Sequence, residues 1–319
     1  MGCRMRKKTY KRTIQKSLFW DICMVLCIMM ILPVNISLLF LKEDQMKETV
    51  EGRLNSDLEW QVLHELAAVI PADYEIETLK AQAIILRTNI LADKQQKGDN
   101  GERQLQEEQK KETQDVPLLF AYKEKWGENY DANCEKLFEV VSETKGMYIE
   151  ENGEPIRTSF FRLSNGSTRM GKECLGTDFP IFESKECNKD MLSINFQQKK
   201  EINGKKFAGE LSSIIGKQIN YEELKQKNIT YNYDSAGYVL NVELGEIKLG
   251  GEIFRNKFLL PSSDFRIEYG NKNVLIETKG VGSGIGFCQY AANEMAKEGE
   301  DFIDLLNYFF TNIAISKTE

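Results

Sequence analysis

Apolar positions along the chain follow three regimes. From Leu18 to Leu41 the sequence LFWDICMVLCIMMILPVNISLLFL is almost continuously apolar, interrupted at Asp21, Pro33, Asn35 and Ser37. At 1.5 Å per residue, Ile22 to Leu41 extends about 30 Å, the hydrocarbon thickness of a bilayer, so residues 18–41 are predicted to form a transmembrane helix. A cleaved signal peptide is the alternative. Its apolar region would be shorter and would end in a small-x-small site, whereas Leu38-Leu39-Phe40-Leu41 runs straight into Lys42-Glu43-Asp44.

The second regime has helical spacing. After a polar stalk over 42–56, Leu58, Val62, Leu66 and Val69 fall within about 80° on a helical wheel and predict an amphipathic helix over 57–70, ended by Pro71. Asp73 is a candidate N-cap for a second helix striped by Ile76, Leu79, Ala83, Leu86 and Ile90. Between Lys94 and Asp115 the sequence nearly lacks apolar residues. It predicts a mobile insertion over 94–115, with a solvated helix over 102–113 as the alternative. Residues 129–145 read as helical again.

The third regime consists of short β-type runs separated by turns. It gives candidate strands at Met147–Glu150, Ile156–Leu163, Ile229–Tyr233, Tyr238–Glu243, Glu246–Leu249, Phe265–Tyr269 and Asn273–Thr278, with Asn152-Gly153 as a hairpin turn. The Gly280–Gly286 stretch, GVGSGIG, then leads into helices near 289–298 and 301–310. Helices and strands are segregated rather than alternating. The predicted fold class is therefore α+β: an N-terminal transmembrane helix followed by a mixed helix and antiparallel-sheet ectodomain.

Charge orients this arrangement. The 319 residues carry 42 Lys+Arg and 49 Asp+Glu, a net of −7. Residues 1–41 hold seven of the basic groups against Asp21 alone, which leaves the remainder at −13. A basic end over 1–17 is expected to stay cytoplasmic, placing the body on the outer side of the cell membrane. So acidic a body argues against nucleic acid as a partner.

Composition also narrows the chemistry. His64 is the only histidine, so Ser-His-Asp triads, His-paired cysteine nucleophiles and multi-His zinc sites have no support. No CxxC pair or other metal-ligand spacing occurs, and no metal or cofactor is expected. Cys174 and Cys187 either pair as a disulfide or stay as buried thiols. The G-x-G-x-G within Gly282–Gly286 lacks a surrounding βαβ unit and a following Lys-Ser/Thr, so it reads as a tight turn that delivers Gln289 and Tyr290 to a helix start.

Three ordered motifs carry a family resemblance. Ala67-Ala68-Val69-Ile70-Pro71-Ala72, followed by Leu79-Lys80-Ala81-Gln82-Ala83 and Arg87-Thr88, resembles A-x-E-M-P-A…L-K-A-Q-A-x-x-x-R-T of the stage II sporulation protein D (SpoIID/LytB) family. Glu143-Thr144-Lys145-Gly146 with Asn152-Gly153-Glu154-Pro155-Ile156 resembles its E-T-x-G…N-G-x-P-I, and Gly282 to Ala291 resembles its G-H-G-V-G-M-S-Q-Y-G. The resemblance covers a SpoIID-like domain over 57–315. It implies peptidoglycan glycan strands as ligand, protein partners in a wall-remodelling complex, and lytic transglycosylase chemistry on denuded strands in sporulation. There, one carboxyl group protonates the leaving oxygen and then takes a proton from the sugar's own hydroxyl.

Departures from the motifs bear on that chemistry. Val69 stands where the family has its catalytic Glu, and Ser283 where it has a His. The segment Phe160–Thr168, matched to the family's metal-bearing stretch, holds no His or Cys, so no metal role carries over. Glu65, one helical turn before Val69 and so on nearly the same face, is the candidate replacement acid, with Glu75 and Glu77 behind it; a stripe-edge Glu reaching solvent is the bland alternative. His64 projects about 140° from Val69 and reads as surface-facing. By resemblance, Lys80, Gln82, Arg87, Gln289 and Tyr290 are candidates for binding glycan, as is Ser283. Arg87 has a structural role as its alternative. Ser164, Asn165 and Thr168 form a polar turn that either touches sugar hydroxyls or ends a hairpin. Trp60 and Trp126 are candidate stacking surfaces. A non-catalytic glycan-binding scaffold, or an activator of another wall hydrolase, is the alternative to an enzyme.

Overall fold

The computed structural model describes residues 57–113, 119–176 and 179–318. The basic end 1–17, the predicted span 18–41 and the stalk 42–56 lie outside the described residues. Among the described residues no helix is long and apolar enough to cross a membrane.

The apolar spacing before Pro71 produces helix α1, Asp57–Val69. Its buried face is Glu59, Val62, Leu63, Leu66 and Ala67, rotated away from the Leu58/Val69 stripe drawn from the sequence. The rotation follows from Glu59, which occupies the buried face because Arg87 neutralises it. Helix α2, Ile76–Thr113, starts after a turn closed by Tyr74 N donating to Pro71 O, so Asp73 sits in the turn and not at the N-cap. Thr78, Leu79 and residues 81–88 are buried, which makes this segment the central helix of the first core. The same helix continues through Thr113, the helical alternative for the polar stretch. Helix α3, Tyr130–Glu143, packs on both.

Strand β1, Met147–Glu151, turns at Asn152-Gly153 into β2, Glu154–Pro155, with φ of 56° and 88° at the two turn residues, as a tight hairpin of this dipeptide requires. Of the predicted strand 156–163, the two residues Phe160–Phe161 (β3) are extended and paired.

A second core lies between two antiparallel three-stranded sheets. One orders β4 (Gln197–Asn203), β9 (Asn273–Lys279) and β8 (Asp264–Tyr269); the other orders β5 (Ile229–Tyr233), β6 (Val239–Leu244) and β7 (Ile247–Gly250). Helices α4, Gly204–Ile215, and α5, Gly251–Lys257, contribute Phe207 and Phe254, and Phe254 stacks on Phe265 at 4.6 Å between ring centroids. The chain returns to the first core through the Gly280–Gly286 turn and β10, Phe287–Cys288, which pairs with β3 in parallel. Helices α6, Gln289–Lys297, and α7, Phe302–Phe309, then pack against α2, and β11, Ala314–Lys317, closes on β1. The architecture is mixed α+β with predominantly antiparallel pairing.

Gly286 shows why the glycine-rich turn is built from glycine. Its φ is +79°, and a Cβ there would lie 2.2 Å from the Ser159 carbonyl oxygen. The turn is thus laid directly against the 159–164 segment, and it hands the chain to α6 as the sequence predicts.

Candidate functional site

The first and last motifs meet at one side chain. Gln289, the first residue of α6, donates from Nε2 to the Val69 carbonyl oxygen at 3.1 Å and to Gln82 Oε1 at 3.0 Å. Both glutamines are buried. Val69 at the end of α1, Gln82 in α2 and Gln289 are therefore held as one unit, with Val69 half-buried at its rim.

The turn between α1 and α2 is fastened beside them. Glu75 N donates to Asn293 Oδ1 at 2.8 Å, and Lys136 of α3 donates to the Tyr74 carbonyl oxygen. This sets the Tyr74 ring next to α6, where its hydroxyl feels Arg162, Asp73 and Tyr290. Burial pushes the Tyr74 hydroxyl up to about 12, so it stays a neutral donor at physiological pH. Tyr290 N in turn donates to the Arg162 carbonyl oxygen at 3.1 Å. Tyr74 and Tyr290 thus sit on the segments that meet at the Val69–Gln289 junction, with Arg162 acting electrostatically on the Tyr74 hydroxyl. Asp73 and Glu75 are exposed, and Glu75 acts electrostatically on Lys136 and Lys297.

Other predicted residues are placed differently. Arg87 is fully buried: its Nε and Nη2 pair with the Glu59 carboxylate at 2.9 and 2.6 Å, and Nη1 donates to the Met147 carbonyl oxygen. These partners satisfy the structural alternative for Arg87. Ser164 and Thr168 are buried as well; Ser164 Oγ accepts from Gly166 N, and Thr168 Oγ1 donates to the Glu183 carbonyl oxygen. Asn165 Nδ2 donates to Ala236 O and Asp264 Oδ2, linking this turn to the second core. Half-exposed Ser283 accepts at its hydroxyl from Ile285 N and at its carbonyl from Arg169. Lys80 is paired with Glu77 and Glu143, and Glu77 also accepts from Phe302 N at the start of α7, so it anchors that helix.

Glu65 is half-exposed and accepts from Gln61 at 3.0 Å. Burial raises its carboxyl above the ordinary value, opposed by Gln61 and His64. The nearby charge of Asp93 raises it further. His64 is exposed; Trp60 and Trp126 are half-buried, Trp126 stacked on Tyr122. Cys174 and Cys187 are both free thiols. Sequence reasoning passed over Tyr74, Arg162 and Asn293. Tyr74 was reachable, three residues past the motif Pro, whereas Arg162 and Asn293 join the cluster only through the fold.

Taken together, these features define an α+β protein whose opening helical pair and closing glycine-rich turn converge on one polar, aromatic surface. Residues 49–150 match the family profile described as Stage II sporulation protein. The chain is 29% identical over 281 residues to the stage II sporulation protein D of Bacillus subtilis (strain 168), covering 83% of this chain and 76% of that protein. It is 28% identical over 278 residues to the protein of the same name from Bacillus amyloliquefaciens, with the same coverage. A more distant similarity, 20% over 301 residues, is to the amidase enhancer of Bacillus subtilis, covering 77% of this chain and 39% of that protein. The chain is thus similar to the stage II sporulation protein family profile over residues 49–150, and to two proteins named stage II sporulation protein D over most of its length.

Proposed function

We propose that this protein binds peptidoglycan glycan strands in sporulation-associated wall remodelling. In this reading it is held by a single-pass anchor at residues 18–41, with the basic end in the cytoplasm and the body facing the wall. The observation that carries the reading is the junction of the two end motifs through Gln289, beside Tyr74, Tyr290 and Arg162. Aromatic faces with hydroxyl and guanidinium donors at their edges are the chemistry that holds sugar rings.

Strand binding is separated here from strand cleavage. Val69 can neither give nor take a proton, so the surface serves as a non-catalytic holder of glycan that acts with another wall hydrolase. The similarity to a protein named amidase enhancer supports that role. A second reading, lytic transglycosylase activity through Glu65, rests on its carboxyl being raised by burial, in the direction a general acid needs.

Co-sedimentation of the full chain with denuded glycan strands, combined with mass spectrometry for anhydro-muramyl ends, tests both. Binding without anhydro product supports the holder. Anhydro product that disappears in Glu65→Gln supports the enzyme. Absence of binding removes both readings.

A further inference from the structure

Behind this surface lies a cluster that neither reading uses. Cys187, Asp190 and Cys288 place one sulfur, one carboxylate oxygen and one sulfur all within 4.8 Å of one another. All three residues are buried, Asp190 and Cys288 completely. Cys187 and Asp190 are three residues apart at a 3₁₀ turn, Asn188–Leu192, in which Asp190 N donates to the Cys187 carbonyl oxygen at 3.0 Å. Side chains at this spacing eclipse one another, so both ligand atoms leave the turn in one direction. Cys288 comes from the far end of the chain, at the last residue of β10.

Hydrogen bonds leave the cluster incomplete in a specific way. Asp190 Oδ2 accepts from Ser164 N at 2.6 Å and from Cys288 Sγ at 3.0 Å. Asp190 Oδ1 has no partner although it is fully enclosed. A buried carboxylate oxygen without a donor costs about 1–3 kcal/mol or more, and the surroundings offer two thiols in place of a cation. A bound divalent ion would use that oxygen or its neighbour together with both sulfurs. Two thiolates exclude the hard ions magnesium and calcium and suit zinc, whose bonds of about 2.3 Å to sulfur and about 2.0–2.2 Å to carboxylate oxygen fit ligand atoms at this mutual separation after a modest contraction. Ser164 N on the carboxylate then acts as the outer hydrogen bond that orients it.

We propose that Cys187, Asp190 and Cys288 form a structural zinc site that clamps the 187–192 turn to the start of α6. Binding exchanges two thiol protons for one Zn²⁺, with the protons released to solvent and the fourth position taken by water or a backbone carbonyl. No oxidation occurs. The site lies outside the Phe160–Thr168 segment and is independent of whether the surface above it holds glycan. Because Cys288 directly precedes Gln289, the ion fixes the residue that joins the two motifs.

The test is the metal content of the full chain, produced in zinc-supplemented medium and measured by plasma mass spectrometry after extensive dialysis. The expected result is one zinc per chain, reduced at least tenfold in Cys187→Ala, Asp190→Asn and Cys288→Ser. Cys288→Ser retains a hydroxyl for Asp190 and so keeps the fold while removing a thiolate; its circular dichroism melt verifies that it is folded. Cadmium added to the stripped wild type should produce a thiolate charge-transfer band in the ultraviolet that Cys288→Ser lacks. Zinc content equal in wild type and Cys288→Ser overturns the proposal. So does a Cys187–Cys288 disulfide in the non-reducing peptide map of freshly isolated protein.

Discussion

The Gln289 side-chain amide donates to the backbone carbonyl of Val69 across 220 residues of sequence. It therefore locks the position matched to the acid of the resembled motif against the helix that opens with the Gln-Tyr pair. Val69 is half-buried, so a longer polar side chain can reach solvent there without entering the core. Val69→Glu is expected to convert the protein into a lytic enzyme. A positioned general acid contributes about 10²–10⁴-fold, so anhydro-muramyl ends from denuded strands should rise by that range over wild type. Unchanged product from a variant that still binds strands would show that the rest of the catalytic surface is missing.

Gln289 itself has a stability role alongside its role in positioning the surface. Gln289→Leu leaves the Val69 carbonyl and Gln82 Oε1 without their donor in a buried setting. The expected loss is about 1–3 kcal/mol in denaturant unfolding, with strand binding weakened in parallel because Tyr290 shifts with it.

The Glu59–Arg87 pair predicts a larger effect. The carboxylate accepts from Arg87 at both oxygens and also from Gly146 N at 3.1 Å, all shielded from water. Arg87→Met strands that charge and should cost about 3–5 kcal/mol. The double variant Glu59→Leu/Arg87→Met should recover part of this, leaving the Gly146 amide and the Met147 carbonyl as the residual deficit. A double-mutant cycle by urea unfolding measures the coupling.

The same pair explains where the sequence was legible and where it was not. Helix positions before and after Pro71, the Asn152-Gly153 hairpin and the glycine turn follow from spacing and backbone conformation, which are local. The face of α1 did not, because Glu59 counts as polar in any pattern and is buried by a partner 28 residues away. Strand β4, QQKKEIN, escaped for a related reason: it is an edge strand with one buried side chain, Ile202, so its alternation hardly contrasts. Of the site, the motif residues were visible, but the split between surface and scaffold was not. Arg87 belongs to the same motif as Lys80 yet lies inside, as do Ser164 and Thr168 of the 160–168 segment, and only tertiary packing separates them from Lys80 and Tyr290.

Glu65 predicts a pH dependence of stability. Burial raises its carboxyl in the folded state, so the folded protein binds its proton more tightly than the unfolded chain does. Stability attached to this group is present below the ordinary Glu value and falls as pH rises from there through the raised value. Glu65→Gln should flatten the decline of the urea midpoint with pH in that window and leave the acid limb unaffected. An unchanged slope in Glu65→Gln would mean that another group controls it.

Arg169 ties the glycine turn to the second core, and its loss should be felt in both. Its Nε donates to Asp234 at 2.6 Å, Nη1 reaches Glu252 at 3.0 Å and the Ser283 carbonyl at 3.3 Å, and its guanidinium lies 5.1 Å from the Tyr238 ring centroid. Its own amide donates to the Gly284 carbonyl at 2.7 Å. Arg169→Ala leaves Asp234 charged and enclosed, an expected cost of about 3–5 kcal/mol, while Arg169→Lys keeps the charge but loses the fork that serves several acceptors together. The backbone amide survives in both variants, so the turn should stay attached at Gly284 while the side-chain ties release. Hydrogen exchange then distinguishes a local tie from a general one. Faster exchange at Tyr238 and Ile285, with Ile84 and Ile85 of α2 unchanged, is the expected pattern. Equal acceleration throughout would instead assign Arg169 to global stability alone.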